Sequence, residues 1–125
     1  MPALFPQTIQ LNPTAVLDET TGTTPADLVT GAVNGTKVFA IHAYNDDSSA
    51  HDVLLSLDDG SNEVILGKVN VPAGGSAAII NETDLPGLVA DRSILVGPAA
   101  VLKVATAALP GAGKTVQIMA EAADY

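Results

Sequence analysis

From Thr36 onward, apolar and polar residues alternate with a period of two. Phe39, Ile41, Ala43 and Asn45 fall on one side of an extended segment, and Val38, Ala40, His42 and Tyr44 fall on the other. Both sides are largely apolar, so both are expected to be covered. Asn45-Asp46-Asp47-Ser48-Ser49 supplies turn chemistry, since short Asp, Asn and Ser side chains bond their own backbone. Beyond it His51, Val53, Leu55 and Leu57 alternate with Asp52, Leu54, Ser56 and Asp58. The two strands are expected to pair as an antiparallel hairpin.

A second turn, Asp58-Asp59-Gly60-Ser61-Asn62, leads to a strand over Val64 to Val71. Its Ile65, Val69 and Val71 are expected to share a face, with a bulge or bend at Gly67. After Pro72-Ala73-Gly74-Gly75, Ser76 to Asn81 reads as a short strand, and Asp84 to Val89 as a crossing between sheets plugged by Leu85 and Leu88. Arg92 to Val96, Ala100 to Ala107 and Thr115 to Ala122 complete the set. The alanine content of Pro98 to Ala108 suits a helix. Val101, Val104 and Thr106 are β-branched, however, and turns bracket a run of strand length, which favours a strand.

Short strands with turn signals at regular spacing predict an all-β fold, an antiparallel β-sandwich or jelly roll, over residues 36–125. Phe39, Ile41, Val53, Leu55, Leu57, Val69 and Ile118 are its expected core.

Residues 1–35 differ. Pro2, Pro6, Pro13 and Pro25 interrupt a Thr-rich stretch whose only charges are Asp18, Glu19 and Asp27. This is the pattern of an extended N-terminal arm with short strands near Thr8 to Leu11 and Ala15 to Leu17. Thr24-Pro25-Ala26-Asp27 can cap one helical turn through Val29, ended by Gly31. Leu4, Phe5, Ile9, Leu11, Val16 and Leu17 are candidate anchors by which the arm clasps a neighbouring subunit.

Composition sharpens this picture. Of the 125 residues only Phe5, Phe39, Tyr44 and Tyr125 are aromatic, so the core must be built from Val, Ile, Leu and Ala. Such a core is thin, and burial against other subunits adds to its stability. Five basic residues against 14 acidic ones give a net charge of -9. That balance cannot supply a basic field for nucleic acid or an anionic membrane surface. The chain has no cysteine, which removes disulfides, thiolate metal sites and a Cys nucleophile. Neither a cleaved signal nor a membrane span is expected.

Candidate chemistry is sparse. Ala108-Leu109-Pro110-Gly111-Ala112-Gly113-Lys114-Thr115 lies one residue from the G-x-x-x-x-G-K-T phosphate loop, with Ala108 in place of the opening glycine. Ten residues follow Thr115 here, too few for the helix and metal-holding acid that nucleotide hydrolysis needs. A hairpin turn is expected instead. His42 and His51 are the two imidazoles, and the predicted hairpin brings them near each other, but with Asp52 they match no zinc spacing. His42 reads as a packed or interface residue and His51 as a solvated strand start. The two acidic turns lack the spacing of a calcium loop. No nucleophile relay is legible, so no enzyme activity, catalytic residue, metal or cofactor is expected.

Several segments occur together in one order. They are Ile41-His42-Ala43-Tyr44-Asn45, Val53 to Gly60, Val71-Pro72-Ala73-Gly74-Gly75, Ser93-Ile94-Leu95-Val96, Ala99-Ala100 and Val116 to Glu121. In this the chain resembles small tailed-phage virion proteins of the head-decoration (cement) or tail-associated type. The resemblance implies a β-sandwich repeated on the virion of a bacteriophage, often as a trimer, with no catalytic residues. The expected role is a capsid decoration subunit on the outer surface of the head, assembled in the host cytoplasm. Its partners would be the major capsid protein or other virion subunits. The alternatives are a tail, spike-base or fibre-attachment protein, and a carbohydrate-binding or adhesion module. Against the last stands the absence of tryptophan.

Overall fold

The computed structural model describes residues 8–10, 12–81, 83–85 and 93–125. Among them are the strands β1 (Thr8–Ile9), β2 (Thr14–Leu17), β3 (Ala26–Thr30), β4 (Thr36–Asn45), β5 (His51–Asp58), β6 (Glu63–Val71), β7 (Ser76–Ala78), β8 (Ile94–Val96), β9 (Val101–Thr106) and β10 (Val116–Asp124). The first sheet has β10 and β4 at its centre. β1 and β2 run along the outer side of β10, and β7 and β8 along the outer side of β4. The second sheet has the order β3-β9-β5-β6. Every pairing is antiparallel.

The two sheets pack against each other through one shared cluster. Val38, Ile41, Ala43, Ile118 and Ala120 come from the first sheet, and Val29, Val53, Leu55, Leu102 and Val104 from the second. The chain is all-β, and its core is aliphatic, as the composition requires. β-Branched side chains suit this role because a strand holds them in the one rotamer that interdigitates across the gap. Residues 8–35 enter the same cluster: Leu17, Leu28 and Val29 are all buried in it.

Four expectations are corrected. β4 and β5 do not form a hairpin, because the turn after Asn45 carries the chain from the first sheet into the second. Phe39 is not in the core. In the β4–β10 ladder Glu121 faces Ala40 and Ala122 faces Val38, so Phe39 is the extra residue of a bulge. The bulge reverses the alternation, placing Val38 inward with Ile41 and leaving Phe39 45% exposed. The same effect operates in β6. Gly67 faces Leu55 and Ile65 faces Ser56, which makes Leu66 the extra residue and turns Ile65 away from the face shared by Val69 and Val71. Finally, the helical turn expected from Thr24 is the strand β3, whose Leu28 and Val29 gain more by packing in the core than a single turn of helix offers. Of the two crossing plugs, Leu85 is buried and Leu88 lies outside the described residues.

Close backbone approach fixes the loops between sheets. Gly31 donates its amide to Ala100 O at 2.8 Å and accepts from Ala99 N at 3.2 Å. A Cβ on Gly31 would stand 1.8 Å from the Gly97 carbonyl oxygen. Gly31→Ala should therefore cost about 2–3 kcal/mol in the free energy of unfolding by denaturant, because backbone on both sides must move. Thr106 gives the opposite test. Its hydroxyl is buried with no hydrogen-bond partner among the described residues. Thr106→Val should leave the urea midpoint unchanged or raise it, by up to about 1 kcal/mol, since an unmade hydrogen bond is exchanged for a methyl group.

Candidate functional site

The polar residues that sequence reasoning weighed as chemistry are gathered where β4 leaves the first sheet. Asn45 is buried and bonds outward in three directions: its Nδ2 donates to Ser49 O at 2.8 Å and to Val71 O at 3.3 Å, and its Oδ1 accepts from Asp47 N at 2.9 Å. This Asx turn aims the Asp47 carboxylate inward. Asp47 Oδ2 lies 2.7 Å from His51 Nε2 and accepts from Gly111 N at 2.9 Å, while Oδ1 accepts from Ser48 N at 2.7 Å. The main-chain oxygen of Asp47 accepts from Gly74 N at 3.1 Å. Next to it, Asp46 Oδ1 accepts from Thr115 N at 2.7 Å. Two adjacent carboxylates thus tie the β4–β5 turn to the β9–β10 loop, and the main-chain oxygen of Asp47 ties it to the β6–β7 turn.

This arrangement answers the phosphate-loop motif. Gly111 to Thr115 is a turn, closed by Lys114 N donating to Gly111 O at 2.9 Å, with Gly113 at a φ of 70°, but it is not the hairpin expected, because β9 and β10 lie in different sheets. Amides at its two ends, Gly111 N and Thr115 N, point at anionic oxygen, as amides in a phosphate loop do. The anions they hold are Asp47 and Asp46. A phosphate would have to displace two built-in carboxylates of the same sign.

The histidines are far from the pairing expected of them. His51, only 6% exposed, is packed against Asp47, not solvated. His42 points out of the first sheet into solvent. The His51–Asp47 contact has the form of a base oriented by a carboxylate, but burial denies a solute access to the imidazole. The second acidic turn lies at the other end of β5, where Asp59 accepts from Ser61 N and Asn62 N, so the two acidic groups do not converge. Among the described residues, no group of three or more His, Asp or Glu side chains is placed to hold a metal ion.

The two outer sheet faces differ sharply. On the second sheet, Lys103 Nζ reaches Asp58 Oδ2 at 3.1 Å and Asp27 Oδ1 at 3.8 Å, and Lys68 Nζ reaches Asp52 Oδ2 at 3.8 Å. The Gly60 amide, then Lys103, holds the Asp58 carboxyl below its usual range, and Asp58 in turn raises Lys103. This face is laced with ion pairs, with Ile65 exposed beside them. On the first sheet, register places Val16, Gln117, Tyr44 and Ser76 in one row and Thr14, Met119, His42 and Ala78 in the next. Val16, Tyr44 and Met119 are exposed around a depression of about 410 Å³. Among the described residues of this face, charge is carried by Glu121, which shares a depression with His42 and Met119, and by Lys37, which lies 5.6 Å from the centre of the Phe39 ring.

Of the arm anchors, Ile9 and Val16 are exposed, Leu17 is buried in the chain's own core, and Leu4, Phe5 and Leu11 lie outside the described residues. β1 is held in place by Gln10 Nε2, which donates to Asp124 Oδ1, an atom that also accepts from Thr36 Oγ1 at 2.8 Å.

The pH dependence of the loop knot follows from Asp47. Its bond to His51, then the Gly111 amide, lowers its pKa from 3.8 to about 2. Between these values the unfolded chain takes up the proton first, so the stabilisation is complete above about pH 4 and lost as pH falls through about 2. Asp47→Asn should flatten that acid limb of the stability curve and speed hydrogen exchange at the Gly111 amide, read by NMR. Lys114→Ala, on the exposed side of the same turn, should change neither.

Comparison of the chain with protein-family models and with curated proteins finds no match.

Proposed function

We propose that this chain is a structural virion subunit, a decoration or cement protein seated on the outer surface of a phage head. The observation that carries this reading is the contrast between the two sheet faces. An ionic face suits solvent, whereas an exposed, nearly uncharged sheet face suits burial against protein.

Strand order supports the same reading. The pairs β2·β10, β3·β9, β4·β7 and β5·β6 are nested, like the two arms of one long hairpin whose tip is the turn at Gly60. The pairs β4·β10 and β5·β9 then close the folded ribbon on itself. We take this nesting to be that of a jelly roll, an architecture used by viral capsid and lectin domains. The architecture alone does not choose a function. The polar groups do favour a structural role, since the Asp46, Asp47 and His51 side chains are committed to holding loops. Ile9 and Val16 leave the N-terminal segment with exposed apolar contacts for a neighbour, in keeping with a clasp.

In this role the subunit adds buried interface that exists only while the shell is closed, which raises the free energy of opening it. The test is made on particles. Purified heads should contain the chain in stoichiometric amount, and heads made without it should release their genome at a lower temperature, restored by adding the purified protein. Absence of the chain from particles, or equal release temperatures, would end the decoration reading.

A further inference from the structure

We propose that the outer face of the first sheet is covered by a second copy of this chain, the two faces packing against each other about a two-fold axis parallel to the strands. The inference rests on the assembly reading above but not on the virion.

Charge selects the occupant. At a net charge of -9, two copies repel unless they meet where the acids are absent. A basic partner would be met by an acidic face, and among the described residues this face carries one carboxylate: Gln117, Met119, His42 and Tyr44 bring none, and Glu121 borders His42 and Met119 on one side. An uncharged sheet face is complementary to another of its kind. Among the described outer sheet faces, the one with that character is this face itself, which makes the contact isologous.

Geometry agrees. Four strand positions about 4.8 Å apart give a width of about 19 Å, and the 10 residues of β4 give a length of about 33 Å. The flat area is about 630 Å² on each copy and about 1,250 Å² for the pair, above the roughly 1,000 Å² that a specific interface requires. An axis between β10 and β4 lays β10 of one copy over β4 of the other. Met119 then meets His42 and Gln117 meets Tyr44, a thioether on an imidazole and an amide beside a phenol.

Sedimentation of the purified protein at tens of micromolar should show a dimer. Met119→Glu should weaken it by about 100-fold or more, by placing a carboxylate in the dry centre of the contact, with an unchanged circular dichroism spectrum. Ile65→Glu, on the outer face of the second sheet, should leave the dimer intact. A wild-type monomer, a trimer of the kind the phage resemblance implies, or a dimer indifferent to Met119→Glu would overturn the proposal. A monomer that still loads onto particles would overturn it while leaving the virion reading intact. A face-dependent dimer absent from particles would do the reverse.

Discussion

The fold turns on a buried carboxylate. For β4 and β5 to lie in different sheets, the five residues between them must leave one layer, cross the edge of the core and enter the other without stranding their backbone groups. Asn45 and Asp47 solve this locally, Asp47 with the ring of His51 four residues on, and Asp47 then reaches the amide of Gly111, 64 residues away. Among the described residues, the aliphatic core has no large ring to wedge the sheets apart or cover their ends. Closure of that end falls to hydrogen bonds between loops, and charge-assisted bonds to a carboxylate are the stronger kind.

How much of this could be read from the sequence depended on whether the relevant information was local. The period-two alternation identified most strands, and aliphatic positions such as Ile41, Val53, Leu55 and Ile118 were legible as core because alternation in each short window is a local property. Phe39 and Ile65 were misplaced for one reason: a bulge adds a residue to one strand of a pair, and its position depends on a partner far along the chain, such as Glu121 for the Phe39 bulge. Gly67 hinted at the second irregularity because it interrupts an apolar run. Nothing comparable marked the first. The pairing of β4 and β5 was assigned on turn chemistry, which Asn-Asp-Asp-Ser-Ser supplies equally to a hairpin and to a crossing between sheets.

The loop knot was illegible for a related reason. The Asn45, Asp46, Asp47, His51, Gly111 and Thr115 segments were each noticed, but as separate motifs: a turn, a lone histidine and a defective phosphate loop. What joins them is the Asp47 to Gly111 contact, which spans 64 residues and has no signature in either segment. The missing opening glycine at Ala108 was a valid warning against nucleotide binding. The stronger reason, that the loop's amides already hold carboxylates, required the fold.

The distribution of polar chemistry links the knot to the sheet faces. Asp46 and Asp47 lie at one end of the sandwich, while Asp27, Asp52 and Asp58 lie on the second sheet with Lys68 and Lys103 among them. Segregating the acids in this way leaves the described part of the first sheet's outer face with Glu121 and Lys37 as its charges, in a chain that is strongly acidic. Such a face costs solubility unless something covers it, since a flat, uncharged sheet surface is a site for association. In a thin-cored domain the same burial adds stability that the single chain lacks. Folding and association therefore draw on the same surface, and a substitution there that spares the isolated fold should be felt first in assembly.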